Sequence, residues 1–257
     1  MKSLKELLGE SLGTFIIVFF GCGAVAGAVY LEAFSSLLEV AIIWGMGVTL
    51  AIFSTRNICS AHLNPAVTIA MLIAKRISWK KVPYYILAQF IGAFIASSVL
   101  YFIFQDAISV YEESLNIVRG GKESYQSAVM FGEFFPNPGF NGKFKIGWPT
   151  AMVLETIGTL LLVLVIFRLN EKEKQIDNLT PILIGLTVSS IICVIAPFTQ
   201  AGLNPARDFG PRLFAYFAGW KNAAFPVPSY SFLTVYIVGP ILGGVLATFL
   251  HKFMSSK

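Results

Sequence analysis

The chain has 257 residues, 56% of them hydrophobic and 13% charged, with a net charge of +5 and a mean hydropathy of +0.72. Soluble domains run at about 45–50% apolar and about 25% charged, so this is the composition of an integral membrane protein. It excludes a nucleic-acid binder, because the positive surplus is not gathered in a solvated domain, and Cys22, Cys59 and Cys193 lack the paired spacing of a disulfide framework or a zinc site.

A bilayer core about 30 Å thick takes about 20 residues of helix. Six apolar stretches of that kind run over 7–30, 38–55, 82–104, 148–168, 179–196 and 232–251. The first has no small-residue cleavage pattern and reads as a span, not a signal peptide. Gly92-Ala93 and Gly243-Gly244 suit close helix packing in lipid. The connection 31–37 carries no base, residues 105–147 read as a long polar loop with a turn at Pro136-Asn137-Pro138-Gly139, and 169–178 is a charged strip. Lys2, Lys5, Lys75, Arg76, Lys80, Lys81, Lys172, Lys174 and Lys252 fall on one side of a six-span bundle. The bias of such residues toward the cytoplasm then places both termini inside and the 105–147 loop outside.

Two further apolar stretches, opening at Asn64 and Asn204, are too short to span. Each begins Asn-Pro-Ala (Asn64, Pro65, Ala66 and Asn204, Pro205, Ala206), a helix N-cap followed by proline at the first helical position. They are half-helices. The chain also repeats: Glu10 to Thr14 matches Glu155 to Thr159, and Gly45 and Gly185 each stand 19 residues before an Asn-Pro-Ala. Three spans per half invert the second half relative to the first, giving repeats of about 1–110 and 148–257 joined by the 105–147 loop. Inverted repeats with broken helices put a permeation or binding site at the midplane.

Extended backbone at membrane depth is tolerated where it lines a wet cavity or is buried in protein. Ser60, Ala61, His62 and Leu63 lead into the first half-helix, and Gln200, Ala201, Gly202 and Leu203 into the second. Their carbonyls would form a ladder of acceptors for a hydroxylated solute. Asn64 and Asn204, at the positive ends of two helix dipoles, would offer amide donors at one point. His62 has no second His or Cys at ligand spacing, so a structural role is expected over a metal site.

The whole chain resembles the aquaporin and glycerol-facilitator family, the major intrinsic proteins, through Ser-Ala-His-Leu-Asn-Pro-Ala-Val-Thr at 60–68 and Leu-Asn-Pro-Ala-Arg-Asp-Phe-Gly-Pro-Arg at 203–212. The resemblance implies an all-α integral membrane fold: six transmembrane helices plus two half-helices, an inverted three-helix repeat, and an aquaporin-like right-handed bundle. It implies a homotetramer in the plasma (cell inner) membrane, with one pore per subunit. It also implies a second constriction at Trp44, Ile192, Ala201 and Arg207, and loop support from Glu10 and Glu155. Asp208 resembles the aquaglyceroporin branch, as does the long loop, and is grouped with the loop supports. Ala201 and Ile192 depart from that branch, which usually carries an aromatic and a glycine there.

Taken singly, these residues have plainer readings: Trp44 as a belt aromatic, Arg207 as an interface base, Glu10 as an interfacial carboxylate, Ile192 and Ala201 as packing residues. The function expected is a passive channel for water, glycerol and other small neutral solutes that excludes protons and ions, with no catalytic residues, metal or cofactor. The alternatives are a water-selective channel with poor glycerol flux and a coupled secondary transporter.

Overall fold

The structure, a computed structural model, describes residues 2–140, 143–171 and 178–255. Lys172 and Lys174, and with them most of the charged strip, lie outside the described residues. Among the described residues, six helices have the length and apolarity to cross a membrane, so this is a multi-pass membrane protein. They are α1 (Lys2–Tyr30), α2 (Leu37–Thr55), α4 (Val82–Ser114), α6 (Trp148–Leu169), α7 (Thr180–Thr199), and α9 (Gly239–Ser255) with the π-helical turn before it (Leu233–Val238). Between them lie the half-helices α3 (Pro65–Ile73) and α8 (Pro205–Ala215) and a single turn, α5 (Tyr125–Ala128). The helices are apolar nearly all round, as a lipid-exposed bundle requires. Leu12, Ile42, Leu87 and Leu161 face outward while the polar groups turn in.

One boundary departs from the sequence reading. The third membrane helix does not end at 104 but continues to Ser114, so the long connection starts at residue 115. The added turns, Gln105 to Ser114, are too polar to score as a span, yet nothing in them breaks a helix. Their far end is tied down by Arg119, whose guanidinium grips Glu112 at 2.8–3.1 Å, donates to the Tyr101 hydroxyl at 2.8 Å and lies over the Trp220 ring.

The packing repeats with the sequence. α1 lies against α4 as α6 lies against α9, and α2 crosses α7 at the centre. Small residues set each approach. A methyl at Gly92 would run into the Ser11 carbonyl of α1, and one at Gly243 into the Thr156 carbonyl of α6. Gly45 and Gly185 face each other's carbonyls across the α2–α7 crossing. The Gly92→Val variant is therefore expected to lose about 3 kcal/mol or more through overpacking against backbone that cannot yield. A thermal melt in detergent checks this, and an unchanged midpoint would show that α1 and α4 can part without penalty.

The ends of the bundle are distinct. Lys81 pairs with Glu6 at 2.7 Å, and Lys252 donates to the Ile73 carbonyl at 3.1 Å. Both termini therefore share one end with the 74–81 turn, and the 115–147 connection occupies the other.

Candidate pore site

The half-helices start where the sequence places them, and for the expected reason. Asn64 is extended (φ −158°) and its side chain accepts from the Ala66 N–H at 2.8 Å; Asn204 (φ −141°) accepts from Ala206 at 3.0 Å and Arg207 at 3.3 Å. Those carboxamide oxygens are spent on capping, which leaves each amide nitrogen pointing across the centre. The Asn64 nitrogen donates to the Leu203 carbonyl at 2.9 Å, and the Asn204 nitrogen to the Leu63 carbonyl at 2.8 Å. The two helix starts are thus laced together by reciprocal bonds. Each amide keeps a second N–H beyond that lacing.

The loops before them are strained in matching places. Ala61 and Leu63, and Ala201 and Leu203, all have φ between +48° and +59°. Such left-handed residues cost of order 1–3 kcal/mol each and persist only where their surroundings hold them. Two buried carboxylates do so. Glu10 accepts from the N–H groups of His62 (2.9 Å) and Leu63 (2.7 Å), and Glu155 from those of Gly202 (2.9 Å) and Leu203 (2.8 Å). Because a trans peptide is planar, an N–H turned to a carboxylate turns the preceding carbonyl the opposite way. The Ala61 and His62 carbonyls thus point away from Glu10, and those of Ala201 and Gly202 away from Glu155. Gly13 and Gly158 supply the matching recesses into which the Leu63 and Leu203 side chains fit.

Two details of the expected ladder change. Leu63 uses its carbonyl on Asn204, and the Gly202 carbonyl accepts from the Asn204 N–H at 2.7 Å. Gln200 is not among the residues lining the central cavity; its side-chain oxygen accepts from the Phe134 N–H at 2.7 Å. The His62 ring lies edge-on to Tyr85, and its buried Nδ1 has no hydrogen-bond partner among the described residues. Cys59 faces the same cavity, its sulfur accepting from the Ala61 N–H at 3.3 Å.

One cavity of about 700 Å³ connects these groups. Its lining runs from Arg56, Arg76 and Asn170 at the end that carries the termini, past Ser60 to Leu63 and both asparagines, to Trp44, Ile192, Ala201 and Arg207. No described residue of 115–147 lines it. The four predicted constriction residues all line this cavity. Trp44 is buried with its ring against Gly21, not set in a surface belt, and the Arg207 guanidinium lies 4.1 Å from the centre of that ring. Ile192 and Ala201 contribute no side-chain polar atom.

Sequence reasoning missed the partners that hold Arg207, Glu10 and Glu155. Glu133, from the 115–147 connection, forms a buried ion pair with Arg207. Its own backbone N–H donates to Asp208 at 2.9 Å, and Asp208 is locked to Arg212, which reaches on to the Glu133 and Ala224 carbonyls. Asp208 thus supports the long connection, not the loop before its own helix. Gln89 donates to Glu10 at 2.8 Å and Thr199 to Glu155 at 2.6 Å. The repeat did not mark Gln89, because the second half has Pro240 at the matching place three residues before Gly243; Glu133 had no signal either, being one acid in an aperiodic loop.

Half-helices meeting start to start, around one continuous cavity in a six-helix inverted bundle, define a membrane pore. The chain belongs to the major intrinsic protein family, whose sequence profile matches residues 1–251. It is 39% identical to the glycerol uptake facilitator protein of Haemophilus influenzae, over 98% of this chain and 94% of that one. It is 36% identical to the glycerol uptake facilitator protein of Escherichia coli K12 (96% and 86%), and 36% identical to a propanediol uptake facilitator of Salmonella typhimurium (99% and 96%). The crystal structure of the aquaglyceroporin from Plasmodium falciparum superposes with a TM-score of 0.83 at 27% identity, covering 98% and 97% of the two chains.

Proposed function

We propose that this protein is a passive channel that conducts glycerol and similar small neutral polyols together with water. The observation that carries the reading is the single cavity bearing an acceptor ladder on one side, an apolar wall on the other and a paired-asparagine station between. A polyol needs that combination, with hydroxyls on Ala61, His62 and Ala201 carbonyls and its carbon edge on Val48, Val67, Leu162 and Val188. Relatives named for glycerol and propanediol uptake support it. The second N–H of Asn64 and of Asn204 serves the passing solute. Exclusion of cations and protons follows the scheme general to aquaporin-type pores, in which half-helix dipoles and an arginine raise the barrier. Among the described residues that line the cavity there is no carboxylate to bind a proton or a sodium ion, which disfavours a coupled carrier.

Trp44, Ile192, Ala201 and Arg207 act as the filter, and Glu10, Glu155 and Asp208 as its supports. In this reading the chain is one domain of two inverted repeats, 1–110 and 148–257. It works as a homotetramer in the inner membrane, with both termini cytoplasmic. The absence of an aromatic at Ala201 widens the filter.

Stopped-flow light scattering on proteoliposomes tests the proposal. Glycerol re-swelling well above that of empty vesicles, with a low activation energy, is the expected result; fast water with background glycerol would make it a water channel. The Ala201→Phe variant is expected to cut the flux of four- and five-carbon polyols at least fivefold while sparing water. Unchanged polyol flux would remove Ala201 from the pore wall.

A further inference from the structure

Trp44 reaches the cavity from α2, but the wall behind its ring belongs to α1. Ile17 of α1 lines the cavity, and Gly21 stands one turn further along the same helix face. Gly21 puts no side chain there, and the Trp44 indole lies directly over it. A methyl at residue 21 would overlap Cδ2, Cε3 and Cζ3 of that indole to nearly the same depth. Those are adjacent atoms of the six-membered ring, so the ring meets α1 with its face and not its edge. The Arg207 guanidinium, itself ion-paired with Glu133, lies 4.1 Å from the ring centre.

The second half of the chain builds the matching stretch of wall differently. Counted from the paired glycines Gly13 and Gly158, Gly21 corresponds to Ile166; counted from Gly45 and Gly185, Trp44 corresponds to Ile184. Ile166 and Ile184 both line the cavity. There the wall is two medium side chains, one from each helix. In the first half the volume has moved to one partner, with nothing on α1 and an indole on α2. Packed walls tolerate such exchange where total volume is kept. The indole lies flat on its helix because residue 21 is glycine.

We propose that Gly21 is a positioning residue that sets the aperture of the filter, and with it the selectivity between water and polyols. Non-bonded carbons rest about 3.5–4.0 Å apart, so any side chain at position 21 must drive the indole off α1. The helix backbone bars retreat. The ring therefore moves into the lumen that Trp44 and Arg207 both border. Water, the narrower solute, still passes an opening that a hydroxylated carbon chain does not. This rests on the channel reading with Trp44 in the filter, and adds what holds that ring in place.

The test is Gly21→Ala in the full-length protein, with water and glycerol flux measured side by side in proteoliposomes. Glycerol flux is expected to fall at least fivefold and water flux less than twofold. The same change is then made in a Trp44→Ile background, which copies Ile184. The second half seats Ile166 beside Ile184, so an alanine has room at position 21 there. In that background Gly21→Ala is expected to alter glycerol flux less than twofold. Melting in detergent is a readout that does not depend on conduction. Gly21→Ala is expected to lower the midpoint of the wild type and not that of Trp44→Ile. Assembly of the alanine variant in the Trp44→Ile background alone would support the same contact. Undiminished glycerol flux in Gly21→Ala, an equal loss of water and glycerol, or the same loss in both backgrounds would overturn the proposal. If the wild type passed no glycerol while the melting difference between backgrounds remained, the channel reading would fail and the seat of Trp44 on Gly21 would stand.

Discussion

Replacing Glu155 with glutamine is expected to destabilise the protein by about 3–5 kcal/mol and to reduce solute flux at least tenfold. One carboxylate oxygen accepts from Gly202 and Thr199, the other from Leu203. A carboxamide offers a single oxygen, so in either orientation its NH₂ faces a buried backbone N–H. The loss of charge-assisted bonds, worth about 1.5–3 kcal/mol each, adds to the roughly 1–3 kcal/mol of an unsatisfied donor. The left-handed residues Ala201 and Leu203 would then relax, and the carbonyls they direct would turn with them. Melting in detergent and vesicle flux are the measurements; a variant that melts and conducts like the wild type would show that the loop holds its shape unaided. Thr199→Val, which leaves both backbone bonds intact, serves as the mild comparison at about 1 kcal/mol.

The second large effect is expected from Glu133→Gln. Arg207 and Glu133 are both nearly inaccessible, with 5% and 4% of their side chains exposed, and the guanidinium also lies against the Trp44 ring. Breaking a buried pair by removing one charge costs about 3–5 kcal/mol when the other is left dry. Here Arg207 borders the cavity, so it can recover hydration by swinging into the lumen. The expected outcome is thus a modest loss of stability and a several-fold fall in both water and polyol flux, as the freed guanidinium occupies the constriction. Flux equal to the wild type would mean that Glu133 does not set the position of Arg207. The glutamine keeps the backbone ties of residue 133 to Asp208 and Arg212, so the change isolates the charge.

The half-helices were legible because their starts are written in local chemistry: an asparagine cap, a proline that needs no partner, and an apolar run too short to span. The matching positions of Glu10 and Glu155 were legible through the repeat, and their supporting role through the family resemblance. Two things were not. Hydropathy reports the solvent a helix tolerates, not where its backbone stops, so the polar end of α4 read as loop although its helix runs to Ser114. Glu133 meets Arg207 across 74 residues through a connection without periodicity, and a contact of that kind leaves no mark on neighbouring sequence.

The reciprocal bonds at the centre also bear on biogenesis. Asn64 is anchored by a carbonyl of the second half and Asn204 by a carbonyl of the first. A nascent chain that has inserted α1 to α4 therefore owns a half-helix whose tip has no mate. Its Asn64 amide waits without that partner, and its Leu63 carbonyl with only a long contact from Thr14 (3.5 Å), until roughly 90 residues beyond α4 have been synthesised and α8 has threaded in from the opposite face. Assembly of the pore is thus the closing act of insertion. A translation product that stops short of α8 carries an exposed polar seam at membrane depth, the kind of defect that membrane quality control is able to detect.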